Sequence, residues 1–258
     1  MFTKVFIAWK KDYGKAIALK ACSILRNLGV DYVFDEPKNC DLAIVVGGDG
    51  SLLKFQSFLQ CPILGINPGG SVGFYMSANK EDFENKVKRV LLGREGKDFF
   101  IVKFMRLETK VNGVKIPYLG MNDVLISPIY VRRILDSELR VKGRKSLERN
   151  SGILVYTPGG SHAYAHSAGA RILRDRDKFG VVAIAPYQGS LKRGEIILSK
   201  GNVIVKCLNE EGEVCVDGQE SQVVKLGRGD IVSVKKSNSP VRIIAFEKNF
   251  PGHLHRKT

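Results

Sequence analysis

The chain has 258 residues, 44% of them hydrophobic, enough to bury the cores of one large or two small domains. Its formal net charge of +15 attracts polyanions, yet the Lys and Arg are scattered and form no helix-turn-helix, zinc-finger or RNA-recognition signature, so nucleic acid is not expected as a partner. No apolar run reaches the roughly 18 residues of a membrane-spanning helix, and no membrane partner is expected either.

In chain order, Thr3 to Trp9 reads as a first strand; the N-terminus is too short and too broken by charge for a signal peptide. Tyr13 to Leu28 carries Ala16, Ile17, Leu19, Ala21, Ile24, Leu25 and Leu28 at helical spacing, and Gly29 ends it. A strand over 30–34 leads through a Pro-containing loop to a fully apolar strand, 42–46. After it come Gly-Gly-Asp-Gly and a helical pattern, SLLKFQSFL. Pro62 to Asn67 is another short strand, and Glu81 to Leu92 a helix stopped at Gly93. Strands alternating with helices predict a parallel sheet with helices on its faces.

From about residue 98 the pattern switches to period two, in segments such as FFIVKFMRLETKV, ILVYTP, NVIVKCL and VRIIAF. Turns at Asn112-Gly113 and Asp217-Gly218 punctuate them. The spacing predicts a β-rich, sandwich-like domain. One helix is expected within it, His162 to Leu173, with Ser161 as its N-cap behind Pro158-Gly159-Gly160. Residues 140–150 read as a hairpin or loop arm, and HLHRKT as a mobile tail.

The most informative segment is LAIVVGGDGS, residues 42–51. A strand running through glycines into a helix brings backbone N–H groups and a helix N-terminus to where a phosphate can sit. Asp49 would repel that phosphate unless it has work to do, such as meeting a nucleotide-bound cation or aligning and deprotonating a hydroxyl nucleophile. The loop thus suggests phosphoryl transfer to an alcohol; the same four residues also suit a plain tight turn. Five cysteines without a Cys-x-x-Cys pair suggest reduced thiols and a cytoplasmic location, not a zinc site or disulfide framework. His162 and His166 stand four apart, a ligating spacing, but no third ligand is evident and no metal site is expected.

Four further segments occur in order: GINPGGSVGFY at 65–75, MNDVLI at 121–126, TPGGSHAYAHSAG at 157–169 and VDGQ at 216–219. With GGDG, this series resembles the NAD kinases, which phosphorylate the adenosine-ribose 2′-hydroxyl of NAD. GGDG alone is shared with phosphofructokinases and lipid kinases. The Asn-Asp pair and the Thr-Pro-x-Gly-Ser element single out the NAD kinases.

The resemblance implies a fold of an α/β N-terminal domain with a parallel sheet plus a β-rich, sandwich-like C-terminal domain. The corresponding boundaries are 1–97 for the nucleotide-binding domain with the GGDG loop, 98–235 for the NAD-binding domain, and 236–258 for a segment returning to the first domain. Asp49 is implied as catalytic. Gly47, Gly48, Gly50 and Ser51 are implied to hold phosphates. Gly50, Phe74, Tyr75, Asn122, Asp123, Arg149, His162, Ala163, Tyr164 and Ser167 are implied to bind NAD, the aromatic pair near adenine and Asn122-Asp123 on a ribose, with core packing as the alternative for Phe74 and Tyr164. Amide and carboxylate side by side suit two hydroxyls, though a plain Asx turn is the alternative. The family further implies ATP as partner with Mg²⁺ or another divalent cation, and a homodimer or homotetramer with sites near subunit interfaces.

The chain departs from the family pattern at Asn150-Ser151-Gly152, where Gly-Asp-Gly is usual, and at His162, where Thr is usual. It also departs at Val72 and Tyr75, and at Ala170-Arg171. Two rival readings follow: a GGDG-type kinase acting on a lipid or sugar, and an NAD(P)-binding protein without turnover. Retention of Asp49 argues against the second.

Overall fold

The computed structural model describes residues 2–10, 14–70, 73–130 and 132–250. Tyr13, Val72 and the HLHRKT tail fall outside them. The chain divides into two compact units, Met1–Phe104 with Val241–Thr258, and Met105–Pro240.

The first unit contains β1 (Lys4–Trp9), α1 (Lys15–Asn27), β2 (Asp31–Val33), β3 (Leu42–Val46), α2 (Asp49–Gln56), β4 (Ile63–Asn67), β5 (Ala78–Asn79), α3 (Phe83–Leu92) and β6 (Phe100–Phe104). β2, β1, β3 and β4 pair in parallel, in that order. All five side chains of β3 are buried, as a central parallel strand covered on both faces requires. α1 turns Ala18, Ala21, Cys22 and Leu25 toward that sheet, and α3 adds Phe83, Val87, Val90 and Leu91. Gly29, at φ 68°, ends α1 in the left-handed conformation that glycine adopts without strain. Leu19 and Leu28, placed on the apolar face by spacing, remain largely exposed.

The second unit is two six-stranded antiparallel sheets. Its strands are β7 (Leu107–Val111), β8 (Val114–Gly120), β9 (Asp123–Pro128), β10 (Leu135–Val141), β11 (Arg144–Asn150) and β12 (Gly152–Tyr156), then a short helix α4 (Tyr164–Ser167). β13 (Phe179–Ile184), β14 (Ile197–Ser199), β15 (Val203–Cys207), β16 (Gly212–Val216), β17 (Val223–Leu226) and β18 (Ile231–Lys236) follow. One sheet runs β11-β10-β15-β18-β7-β8, the other β14-β13-β12-β9-β16-β17. Alternate residues from both, among them Leu107, Leu139, Val205 and Val234 from one and Val124, Ile126, Val155 and Val181 from the other, fill one shared core. The sandwich predicted from period-two segments is present. Residues 140–150 are the β10–β11 hairpin, turned at Lys142-Gly143 with both residues at positive φ.

The last strand, β19 (Val241–Ala245), lies in the first unit's sheet, parallel to β4 and antiparallel to β6. Pairing with β19 places β6 in the first unit, which therefore runs to Phe104 and not to 97.

The expected helix His162–Leu173 is a correction. The segment is a 3-10 turn at Gly160–His162, a break at Ala163 (φ −98°, ψ −133°), and one turn of α4. Gly169 at φ 82° then closes it, with Ala170 N–H donating to the Ala165 carbonyl at 2.9 Å, a Schellman-type stop. Ser161 is not an N-cap: its hydroxyl donates to the Pro158 carbonyl (2.6 Å), and α4 starts after Ala163.

Candidate active site

In the first unit β3 delivers Gly47 and Gly48 directly to the start of α2, whose first residue is Asp49. Gly47 is held to β4 by its N–H to the Ile66 carbonyl (2.9 Å), and a Cβ there would meet the Ser51 Cβ at 2.7 Å. Glycine is thus required for the turn to close. Gly50 is exposed, and a Cβ on it would meet nothing within 4 Å among the described residues. That open side is where a phosphate can approach the helix N-terminus.

Asp49 is tied to a second loop 25 residues on. Its Oδ2 accepts from the Phe74 N–H (2.8 Å) and its Oδ1 from the Tyr75 N–H (2.9 Å). The two main-chain amides thus orient the carboxylate. The positive end of the α2 dipole favours the negative charge there. The same second loop is bent by Asn67, whose side-chain oxygen accepts from Gly69 N–H (2.9 Å), and by Gly69 and Gly70 at φ 103° and 81°.

The resemblance implied that Phe74 and Tyr75 lie near adenine, with Phe74 as the ring that could instead be core. Phe74 is half-buried, but the Tyr75 ring is core: it is 1% exposed and packs edge-on to Phe74 and Phe104 at 4.8 and 5.3 Å. What Tyr75 offers Asp49 is its amide, a function no side-chain pattern reveals.

The second unit gathers the Asn-Asp pair, the Thr-Pro-Gly-Gly-Ser element and the VDGQ turn. Asp217 is the clasp. Its Oδ2 accepts from Met121 N–H (2.9 Å), and its Oδ1 from Asn122 N–H (2.7 Å) and Asp123 N–H (3.0 Å). Asp217 N–H returns a bond to the Asp123 carbonyl (3.0 Å). Asp217 and Gly218, at φ 52° and 62°, make the tight turn expected of Asp-Gly. From the other side Thr157 donates its N–H to the Asn122 carbonyl (2.8 Å) and its hydroxyl to the Met121 carbonyl (2.6 Å). The Thr157 oxygen also accepts from Gly160 N–H (3.0 Å), and Gly160 lies so close to Asn122 that only glycine fits. Neither Thr157 nor Asp217 had a role assigned from sequence; their fixed place in two motifs was the available signal.

Asn122 is half-buried, and Asp123 is only 5% exposed. Burial, and secondarily the Asp217 charge, pushes the Asp123 carboxyl up to about 7. Arg106 is 1% exposed, donates Nε and Nη2 to the carbonyl and hydroxyl of Ser239 (both 2.7 Å), and is pulled down to about 10 by burial against the opposing attraction of Asp217. His162 and Ala163 are half-buried, while Tyr164 and Ser167 are exposed. The break at Ala163 means His162 and His166 share no helix face. Arg149, exposed on β11, is engaged by Asp136 (2.7 Å), Gln188 (3.3 Å) and the Tyr187 ring (5.8 Å).

Among the described residues no group of three or more His, Cys, Asp or Glu could hold a metal ion. The protein alone does not fit a divalent cation; such an ion would take most of its ligands from nucleotide phosphates and water, as Mg²⁺ commonly does.

A strand–Gly-Gly-Asp-Gly–helix loop on an α/β unit, with a clasped Asn-Asp pair on a β-sandwich, defines a phosphoryl-transferring enzyme. Family models agree: residues 28–95 match the ATP-NAD kinase N-terminal domain and residues 121–246 the ATP-NAD kinase C-terminal domain. The NAD kinase of Picrophilus torridus is 31% identical over 223 residues, 85% of this chain and 78% of that one. That of Buchnera aphidicola is 30% identical over 249 residues, 91% and 82% respectively. Among solved structures, an NAD kinase from Archaeoglobus fulgidus in complex with ATP superposes with a TM-score of 0.77 at 26% identity, covering 96% of this chain and 94% of that one. Yeast NADH kinase complexed with NADH shares the fold, at TM-score 0.81 and 17% identity, covering 96% and 84%. The chain belongs to the NAD kinase family.

Proposed function

We propose that this NAD kinase uses Asp49 to direct the 2′-hydroxyl of the adenosine ribose of NAD onto the terminal phosphorus of ATP. The observation that carries the assignment is a carboxylate at a helix N-terminus, oriented by the Phe74 and Tyr75 amides beside the open face of Gly50. Asp49 accepts the hydroxyl proton. The ribose oxygen forms a bond to phosphorus, the bridging oxygen–phosphorus bond breaks, and its electron pair leaves with ADP. Gly47, Gly48, Gly50 and Ser51 position the phosphates, so that most of the acceleration comes from placement and charge. Asn122 and Asp123 take the hydroxyls of a ribose of NAD; His162, Ala163, Tyr164, Ser167, Arg149 and the half-buried Phe74 line the rest of the substrate.

ATP as donor is supported by the Archaeoglobus fulgidus relative, crystallised with it. A divalent cation, when it accompanies the nucleotide, screens the phosphates. No described helix is long and apolar enough to cross a membrane. We take the location as cytoplasmic and the assembly as a homodimer or homotetramer, checked by fractionation and light scattering.

The decisive assay combines purified protein, NAD, ATP and Mg²⁺, with NADP read by an NADP-specific dehydrogenase. Asp49→Asn should lower turnover by about 10²–10⁴, the usual worth of a general base, with NAD binding still measurable. Near-wild-type turnover would end the assignment.

A further inference from the structure

Asp217 stands apart from the residues given a role in the reaction, yet it is more completely engaged with the Asn-Asp pair than any of them. A single buried carboxylate accepts three consecutive amides, from Met121, Asn122 and Asp123. Three convergent N–H groups form the kind of concavity that usually receives an external anion. Here the anion is supplied by the chain itself, 94 to 96 residues later in sequence. The turn that presents it is the tight Asp-Gly turn, with Asp217 and Gly218 both at positive φ.

We propose that Asp217 is the positioning residue of the NAD site: its carboxylate holds the main chain of 121–123 so that Asn122 and Asp123 meet the ribose, and its negative charge stands beside the buried Asp123. The proposal rests on the reading that Asn122 and Asp123 bind a ribose of NAD.

The groups facing Asp123 can be named. Asp217 lies at the end of β16, bonded back to the Asp123 carbonyl, and Cys215 on the same strand feels the Asp123 charge. Tyr156 on β12 is its register partner, with its hydroxyl pushed up to about 12 by burial and so neutral through the physiological range. Arg106 lies within electrostatic reach of Asp217. Of these, Asp217 is the neighbour whose negative charge opposes Asp123 ionisation. Removing that charge must move Asp123 ionisation to lower pH.

The test is steady-state kinetics of the full chain across pH, with NAD as the varied substrate. In wild type, KM for NAD should show a limb near pH 7, where Asp123 titrates. Asp217→Asn should raise KM for NAD about tenfold, the equivalent of one or two lost hydrogen bonds, change kcat far less, and move that limb to lower pH. Asp217→Glu keeps the charge but misplaces it, so KM should rise while the limb stays. An unchanged KM in Asp217→Asn, or a raised KM with an unmoved limb, overturns the proposal. Asp123→Asn separates the two readings: it should erase the limb, and if it leaves KM and limb intact the ribose reading fails by itself. Hydrogen exchange on the wild-type protein covers the case in which the variants do not fold. Amides of 121–123 should be strongly protected without NAD, and fast exchange there overturns the role of Asp217.

Discussion

Gly160→Ala tests how closely the Thr-Pro-Gly-Gly-Ser element and the Asn-Asp pair depend on each other. Gly160 begins the short 3-10 turn and is not at positive φ, so an alanine there meets no left-handed penalty; the problem is space. A Cβ would stand 2.5 Å from the Asn122 carbonyl carbon and 2.6 Å from its Cα, nearer still to its oxygen. Ordinary contact begins near 3.4 Å, so the two segments must part by about 1 Å, and both obstacles are main chain, which cannot rotate away. Separation breaks or stretches Thr157 N–H to Asn122 O, Thr157 Oγ1 to Met121 O and Gly160 N–H to Thr157 Oγ1. Overpacking typically costs about 1–3 kcal/mol and each of the three weakened bonds about 1 kcal/mol, so a loss of about 4–6 kcal/mol is expected. That is a large share of the roughly 5–15 kcal/mol that holds a domain folded. Urea unfolding should show the midpoint falling with little change in slope, and KM for NAD should rise in the protein that remains folded. Wild-type stability and wild-type KM together would refute the packing argument.

Gly50→Ala is the converse case: open space around the Cβ and a helical position predict a gain of about 0.5–1 kcal/mol in stability, while on the proposed function the methyl group would stand in the phosphate's approach and lower kcat/KM. Full activity in a stabilised Gly50→Ala would remove the loop from the phosphate site. Asp123 carries a pH prediction for stability. Its carboxyl ionises near 3.9 when unfolded and about 7 when folded, so between those values the folded state holds the extra proton and stability falls as pH rises, levelling off above about 7. Thermal melts at pH about 5 and about 8 should show that fall in wild type and a flatter response in Asp123→Asn; equal slopes would count against a buried, late-ionising carboxyl.

Much of this protein is written locally. The apolar run Leu42–Val46, the Gly-Gly-Asp-Gly after it and the helical spacing beyond are short-range patterns, and they produced a strand, a turn and a helix. Period two, which needs only alternate residues to share a face, announced the sandwich. Helix ends were legible where one glycine decides, as at Gly29, and missed where a glycine acts through a longer loop of bonds, as at Gly169. What only the tertiary structure decided is which partners close each motif. Tyr75 follows Phe74 in sequence, but adjacent side chains point apart, and packing against Phe104 selects Tyr75 for the core. Asp49 finds amides 25 residues away, and Asp217 finds three amides about 95 residues away. Hydrogen-bond partners so distant leave no periodic trace in a chain, because nothing in local backbone preference depends on them. They exist only once folding has brought the N–H of one segment to within about 3 Å of the carboxylate of another.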